Sequence, residues 1–248
     1  MSESTLRIGV LYPEVLGTYG DTGNAVVLCE RARRRGIDAD IISVDLDTRV
    51  PEDLDVYTLG GGEDTAQALA ARKMSDGTGL KRAVERGAPI LAICASLQVL
   101  GQWYEDANAV RVPGLGFLDV TTAPQGSRTI GEILTTPRID GLTDLLTGFE
   151  NHGGATTCGP DATPLGTVIR GTGNGVNTGD GACDGVHQGS IIATYMHGPV
   201  LARNPQLADY LLSQAMGIAM TDLSELTVPG VQRLREERLQ AVHSEVGN

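Results

Sequence analysis

The chain has 248 residues, of which 41% are hydrophobic. This is enough for one or two domains with a core that needs neither disulfides nor metals to hold it together. Its 19 basic and 31 acidic residues give a net charge of −12, which excludes nucleic-acid binding and electrostatic attraction to anionic lipids.

The start of the sequence and its longest uncharged stretch both bear on the cellular compartment. Residues 1–5 are polar and acidic, and they lack the basic and apolar regions of a secretory signal. Residues 88–104 carry no charge, but proline, glycine and polar side chains interrupt them, so they fall short of the ~20 apolar residues of a membrane span. We therefore predict a cytoplasmic protein without membrane insertion.

In the first part of the chain, short apolar runs rich in β-branched residues alternate with helical patterns. This alternation is typical of β-α-β units and a parallel sheet. The predicted strands are Leu6–Leu11, Ala39–Val44, Val56–Leu59 and Ile90–Ile93. The predicted helices, with apolar residues at three- and four-residue spacing, are residues 24–35, 64–73, 79–86 and 96–103.

The second part of the chain has a different pattern. Its strand-like runs predict antiparallel strands or an edge extension, at residues 115–120, 129–134, 164–170 and 190–196. Residues 171–189 are dense in Gly, Asn and Asp and predict a long loop. Residues 204–216 have a helical period, and residues 229–245 begin with proline and predict a mainly solvated helix.

Neither a repeat nor a linker divides the sequence. We therefore predict a single α/β domain over residues 1–248, with a mostly parallel central sheet flanked by helices and with antiparallel extension strands. Residues 221–248 are expected to form a C-terminal helical tail.

The four cysteines are far apart, with no C-x-x-C pair and no histidine at metal-ligand spacing. We therefore predict no metal site, and free thiols rather than disulfides in a cytosolic chain. Cys29 shares a helical face with apolar residues and is expected to be buried. Cys158 and Cys183 lie in polar, Gly-rich sequence and are expected to be exposed.

Cys94 has a context that suggests chemistry. It ends an apolar strand and is followed directly by a helical pattern. A sharp strand-to-helix turn lifts a thiol above the sheet edge, near a helix N-terminus that favours the thiolate. The same turn would aim the backbone N–H of Ala95 at a substrate carbonyl. On pattern alone, a buried strand end explains Cys94 equally well.

A thiolate nucleophile needs a base, and the ends of parallel strands are where sites form. His197 follows the strand-like run that ends at Met196, and His152 follows another such run, so both are candidates. The spacing does not choose between them, and either could be a structural histidine.

Glycine-rich segments follow two of the predicted strands. Gly60-Gly61-Gly62 ends the third strand, where Gly61 or Gly62 could supply a second oxyanion donor or simply form a tight turn. The segment from Gly17 to Gly23 follows the first strand, but its spacing is not that of the dinucleotide fingerprint. No glycine loop ends in a lysine either, so we predict no NAD and no ATP site in this chain.

Several motifs in order resemble the class I glutamine amidotransferases of the CobB/CobQ branch, a flavodoxin-like fold. They are Gly60-Gly61-Gly62, Ile93-Cys94 with Gln98 and Gly101, and Tyr195-Met196-His197-Gly198-Pro199. Two segments are similar to the glutaminase subunits of lipid II isoglutaminyl synthases within that branch. They are Tyr19-Gly20-Asp21-Thr22-Gly23-Asn24 and Gly148-Phe149-Glu150-Asn151-His152-Gly153-Gly154.

The resemblance implies roles for individual residues. Cys94 resembles the family's nucleophile, His197 its base, and Arg128 the arginine that holds glutamine. One departure is that Pro199 occupies the position of the usual His-x-Glu carboxylate, so the third triad member is missing from its place. Glu150 and Asp21 are possible substitutes, and His152 is expected to shape the pocket. In a second departure, the family's Cys-Gly-Gly-Tyr-Gln is replaced by Cys94-Ala95-Ser96-Leu97-Gln98, which keeps the donor N–H.

The resemblance implies a glutaminase that supplies ammonia to another subunit. It implies that the partner is MurT, a Mur-ligase-like subunit that uses ATP to amidate the D-glutamate of lipid II. Three alternatives remain open at this point: a stand-alone cysteine hydrolase of γ-glutamyl compounds, an amidotransferase subunit for another acceptor, and a noncatalytic binding module.

Overall fold

The computed structural model describes residues 5–17, 19–106, 108–178 and 181–244. Its helices are α1 Gly23–Arg33, α2 Asp64–Ser75, α3 Gly79–Glu85, α4 Ala95–Leu100, α5 Val200–Arg203, α6 Pro205–Met216 and α7 Pro229–Ser244. Its strands are β1 Leu6–Leu11, β2 Ala39–Val44, β3 Val56–Leu59, β4 Ile90–Ile93, β5 Trp103–Glu105, β6 Arg111–Pro113, β7 Val120–Pro137, β8 Leu146–Cys158, β9 Gly166–Arg170, β10 Asn177–Thr178, β11 Gly181–Asp184, β12 Val186–Gln188, β13 Ile191–Thr194 and β14 Met196–His197.

A six-stranded sheet forms the centre of the molecule, in the order β12-β13-β4-β3-β1-β2. Five of its strands are parallel, and β12 lies antiparallel at one edge. The first four predicted strands are confirmed with their predicted bounds. The predicted α/β class, with a mostly parallel sheet between helices, is also confirmed.

Apolar side chains cover both faces of this sheet, as expected where helices flank parallel strands. In β4, Ile90 and Ala92 pack into one core cluster, and Leu91 and Ile93 pack into the other. Helices α2, α3 and α4 contribute to the first cluster, and α1 and α6 to the second. Alternate side chains of β4 therefore pack against the helices on opposite faces of the sheet.

A second, mainly antiparallel sheet of eight strands lies beside the first. Its main feature is the long pairing of β7 with β8, from Val120 opposite Cys158 to Thr135 opposite Leu146. The register of this pairing shifts between Pro124 and Thr129.

The chain passes from one sheet to the other after Thr194. Strand β13 pairs with β4, with Thr194 opposite Ile93, and two residues later β14 pairs with β8. His197 is opposite Phe149 in that second pairing. This crossing places His197 where both sheets meet, beside the end of β4.

Several predicted elements are corrected by the structure. The predicted helix 96–103 ends at Leu100, because Gly101 adopts an extended conformation, and β5 follows. The predicted loop 171–189 contains β10, β11 and β12. Strand β11 pairs with β10 and with β9, and β12 pairs with β13. Residues 129–134 belong to one long strand, β7. Of the predicted strand 115–120, only Val120 belongs to a strand, as the first residue of β7. The predicted strand 190–196 is interrupted at Tyr195.

The expected exposure of two cysteines is also wrong. Cys183 lies buried on β11, and Cys158 is half-buried at the end of β8, where burial raises the pKa of its thiol to about 11. Cys29 is buried, as predicted. Strand pairing in the second sheet therefore buries Cys183 and partly buries Cys158, although the sequence around each is polar.

Helix α7 begins at Pro229 and exposes most of the side chains that the structure describes. Its Arg235 is instead half-buried and donates hydrogen bonds to the backbone oxygens of Arg203 and Leu145. Arg235 therefore attaches the helix to the segments around β8 and α5. In the part of the chain that the structure describes, none of the helices has the length and apolar content to cross a membrane.

Candidate active site

Cys94 occupies a strained turn between β4 and α4. Its φ of 51° and ψ of −105° lie in a region that residues other than glycine rarely adopt. Its backbone N–H donates to the carbonyl oxygen of Thr194 at 2.9 Å, which ties the turn to β13. The predicted elbow is therefore present, and it holds a half-buried thiol at the end of a fully buried strand.

His197 and Asp21 form a buried pair beside this turn. Nδ1 of His197 donates to Oδ2 of Asp21 at 2.9 Å, although the two residues are 176 positions apart. Burial lowers the pKa of His197, but the hydrogen bond to Asp21, the nearby sulfur of Cys94 and the negative charges of both groups outweigh it and raise the pKa to about 9. The arrangement therefore favours the protonated form of His197, beside the sulfur of Cys94.

The glycine loop after β3 gives this pair its space. A methyl group on Gly61 would lie 2.8 Å from Cε1 of His197 and 3.4 Å from Cβ of Cys94. The N–H of Gly61 donates to Oδ2 of Asp21 at 2.9 Å. This hydrogen bond engages the N–H of Gly61 with the carboxylate of Asp21.

Tyr19 lies over the imidazole. Its ring meets that of His197 edge-on, with the centroids 4.8 Å apart, and the side chain is 45% exposed. Its φ of 63° is left-handed, which turns the side chain of this loop residue toward the site. The sequence assigns Tyr19 no role. Its position in the loop after the first strand is the feature of the sequence that places it near the site.

A cavity of about 240 Å³ opens beside Cys94 and His197. Gly62 and Ala95 line it next to the thiol. Arg128, from the irregular part of β7, also lines the cavity, and its Nε donates to Oδ1 of Asn151 at 2.6 Å. The cavity is therefore bounded by residues of both sheets and includes a guanidinium in its lining.

Four acidic residues also line the cavity. They are Glu63, Asp64, Glu105 and Asp106. Asp106 is partly engaged, because its Oδ1 accepts hydrogen bonds from the backbone N–H groups of Asn108 and Val110.

The two remaining predicted site residues lie together on the wall formed by β8. Glu150 accepts hydrogen bonds from the backbone N–H groups of Thr172 and Gly173, each at 2.8 Å. Its Oε2 is 3.9 Å from Nε2 of His152, which lines the cavity. The structure thus brings Asp21 to His197 and Glu150 to His152.

Gln67, which is not among the predicted site residues, lines the cavity from α2. Its Nε2 donates to Oε1 of Gln98 at 2.9 Å. A buried glutamine among the apolar positions of α2 is the signal that could have revealed it.

Residues 7–205 match the CobB/CobQ-like glutamine amidotransferase domain. The chain is 36% identical over 202 residues to the GatD subunit of lipid II isoglutaminyl synthase (glutamine-hydrolyzing) from Staphylococcus aureus (strain N315), covering 81% of this chain and 80% of that one. It is 34% identical over 214 residues to the GatD subunit from Streptococcus pneumoniae (strain ATCC BAA-255 / R6), covering 85% and 80%.

A solved structure described as a glutamine amidotransferase has the same fold. It aligns with a TM-score of 0.54 at 21% identity and covers 84% of this chain and 98% of that one. The matching domain and the two relatives identify the chain as a member of the CobB/CobQ-like glutamine amidotransferase family.

Proposed function

We propose that this chain is the glutaminase subunit of a lipid II isoglutaminyl synthase. It hydrolyses L-glutamine at Cys94 and supplies the ammonia to a partner subunit. The observation that carries the proposal is the arrangement of Cys94, His197 and Asp21 beside one cavity. The similarity to two GatD subunits supports lipid II as the final acceptor.

The first half of the reaction forms a thioester. Arg128 binds the α-carboxylate of glutamine, because a guanidinium binds a carboxylate through two parallel hydrogen bonds and stays charged. The Cys94 thiolate attacks the side-chain carbonyl carbon, and the imidazolium of His197 gives its proton to the departing nitrogen. Ammonia leaves, and the γ-glutamyl group remains on sulfur.

The second half regenerates the enzyme. Neutral His197 takes a proton from water, the resulting hydroxide attacks the thioester carbon, and glutamate leaves as the thiolate re-forms. In both halves a negative charge develops on the carbonyl oxygen. We assign its stabilisation to the backbone N–H groups of Gly62 and Ala95, since that of Gly61 is bonded to Asp21.

The sequence predicts no ATP site in this chain, so we assign ATP-dependent activation of the acceptor to the partner. We propose a Mur-ligase-like subunit of the MurT type, which binds ATP and activates the D-glutamate carboxylate of lipid II in the cytoplasm. Ammonia has to pass from the Cys94 cavity to that carboxylate, so the partner is expected to dock near the cavity mouth. Docking that completes a site is a common way to control such chemistry.

The test uses the full chain, a MurT-type partner, lipid II, ATP and glutamine labelled with ¹⁵N in its amide. We expect label in the stem peptide by mass spectrometry, and weak ammonia release from the chain alone. A Cys94→Ser variant mixed with the same partner is the matched control. Label that appears only as free ammonia would contradict the peptidoglycan assignment and favour a stand-alone hydrolase or another acceptor.

A further inference from the structure

Gln98 has a side chain that is fixed at both ends. It lies on α4, one turn after Cys94, and lines the cavity. Its Oε1 accepts a hydrogen bond from Gln67 at 2.9 Å, and its Nε2 donates to Oη of Tyr195 at 3.2 Å. The amide therefore has one orientation relative to the nucleophile.

Tyr195 is completely buried, at the point where β13 ends and β14 begins. Its hydroxyl accepts from Gln98 and also forms a hydrogen bond with Oγ1 of Thr156, at 2.6 Å, in which either hydroxyl can donate. Oγ1 of Thr156 in turn lies 2.8 Å from Oγ1 of Thr122. The hydroxyl of Tyr195 thus connects the nucleophile helix with the strands of the second sheet.

The imidazole of His152 holds the ring of Tyr195. The two rings are stacked, with centroids 3.8 Å apart and an interplanar angle of 15°. His152 is 3% exposed, and its Nδ1 donates to the backbone oxygen of Gly154 at 2.9 Å. Its Nε2 has no hydrogen-bond partner among the described residues, so the stack and one hydrogen bond define its position.

Gly154 leaves the space that this arrangement needs. A methyl group at that position would lie 2.7 Å from Nε2 of Gln98 and 3.3 Å from Oη of Tyr195. A side chain at this position of β8 would therefore displace the Gln98 amide from Tyr195.

We infer that Tyr195, held by His152, is a positioning residue that fixes the Gln98 amide on the cavity wall and thereby sets the affinity for the glutamine substrate. This inference rests on the proposed glutaminase function. It differs from a role in bond breaking, because neither ring takes part in the Cys94–His197–Asp21 arrangement. Loss of the positioning raises KM and leaves kcat nearly unchanged.

The decisive variant is Tyr195→Phe, which removes the hydroxyl and keeps the stacked ring. It leaves an N–H of the half-buried Gln98 side chain without its acceptor, so we expect KM for glutamine to rise about 5- to 20-fold. We expect kcat to change less than about threefold. Labelling of Cys94 by diazo-oxo-norleucine should need a correspondingly higher concentration and reach the same maximal rate.

Tyr104→Phe is the matched control, because Tyr104 is a buried tyrosine on β5 whose hydroxyl has no hydrogen-bond partner among the described residues. Its KM should stay within about twofold of wild type. A Tyr195→Phe enzyme with the KM of Tyr104→Phe would overturn the inference. A wild-type enzyme that releases no ammonia even with its partner would instead overturn the proposed function.

A double-mutant cycle with Gln98→Met tests whether Tyr195 acts through Gln98. In the Gln98→Met background, Tyr195→Phe should raise KM no further than about twofold, and fully additive effects would contradict the inference. His152→Ala should also raise KM, whereas His152→Phe, which keeps a stacked ring, should restore most of the affinity. Equal KM values for the two His152 variants would contradict the role of the stack.

Discussion

Asp21→Asn tests the third member of the candidate site. Oδ2 of Asp21 accepts hydrogen bonds from Nδ1 of His197 and from the N–H of Gly61, each at 2.9 Å. An asparagine oxygen can accept both bonds, so the shape of the site is retained and the negative charge is lost. The substitution therefore separates the charge of Asp21 from its packing.

Without that charge, less opposes the effect of burial, and the pKa of His197 falls from about 9. Less imidazolium is then available to protonate the leaving ammonia. Since positioned acid–base catalysis contributes about 10²- to 10⁴-fold, we expect kcat to fall by at least about 10²-fold, with KM little changed. The alkaline limb of the pH–rate profile should also move to lower pH.

The same pKa shift affects stability. Because the pKa of His197 is raised on folding, its contribution is fully present below the unfolded pKa of about 6.5 and is lost as the pH rises through about 9. Thermal unfolding of the wild type should show this loss over that range, and Asp21→Asn should show less of it.

The assay is ammonia release from glutamine by the partner complex, measured between pH 6 and pH 10. Asp53→Asn is the matched control, because it makes the same chemical change in an exposed ion pair with Arg7. If Asp21→Asn kept kcat within about threefold of wild type with an unmoved alkaline limb, Asp21 would not orient His197.

Three further substitutions test other parts of the site by the same ammonia assay. Cys94→Ser should abolish ammonia release, because an alcohol ionises far less readily than a thiol, whereas serine at any of the other three cysteines should leave it largely intact. Gly61→Ala should lower kcat more than tenfold, since its methyl group would lie 2.8 Å from His197; Gly131→Ala, which adds a methyl group with nothing within 4 Å, should not. Arg128→Lys should raise KM for glutamine about 10- to 100-fold while the protein stays folded, because an ammonium does not reproduce the bidentate contact, and an unchanged KM would return Arg128 to an ordinary surface role.

The sequence was sufficient to predict the parts of the fold that depend on local pattern. Strands β1 to β4 have alternating or continuous apolar residues and flanking helices, so their bounds follow from periodicity. The turn at Cys94 follows from a strand that runs directly into a helix. The position of His197 beside it requires one further step, that the carboxyl ends of neighbouring parallel strands lie together.

Other features depend on pairing and packing between segments and had no local signal. Strands β10, β11 and β12 have only two to four residues each, too few to show a periodicity, and pairing with their neighbours defines them. The hydrogen bond from Gly61 to Asp21 likewise depends on how the loop after β1 packs against the loop after β3. Sequence analysis could place Asp21 among the candidates, but choosing it over Glu150 required the structure.

Pro199 stands where many class I amidotransferases have a glutamate, and it is physically connected with the position of Asp21. Where the glutamate of His-x-Glu would stand, Pro199 precedes α5 and packs against Gly23, the first residue of α1. The N–H of Leu201 on α5 donates to Oδ1 of Asn24 at 3.0 Å. Together these contacts hold the start of α1, and the loop before it, against the strand that carries His197. The residue that removes one carboxylate therefore helps to bring Asp21, from the opposite end of the chain, to the same imidazole.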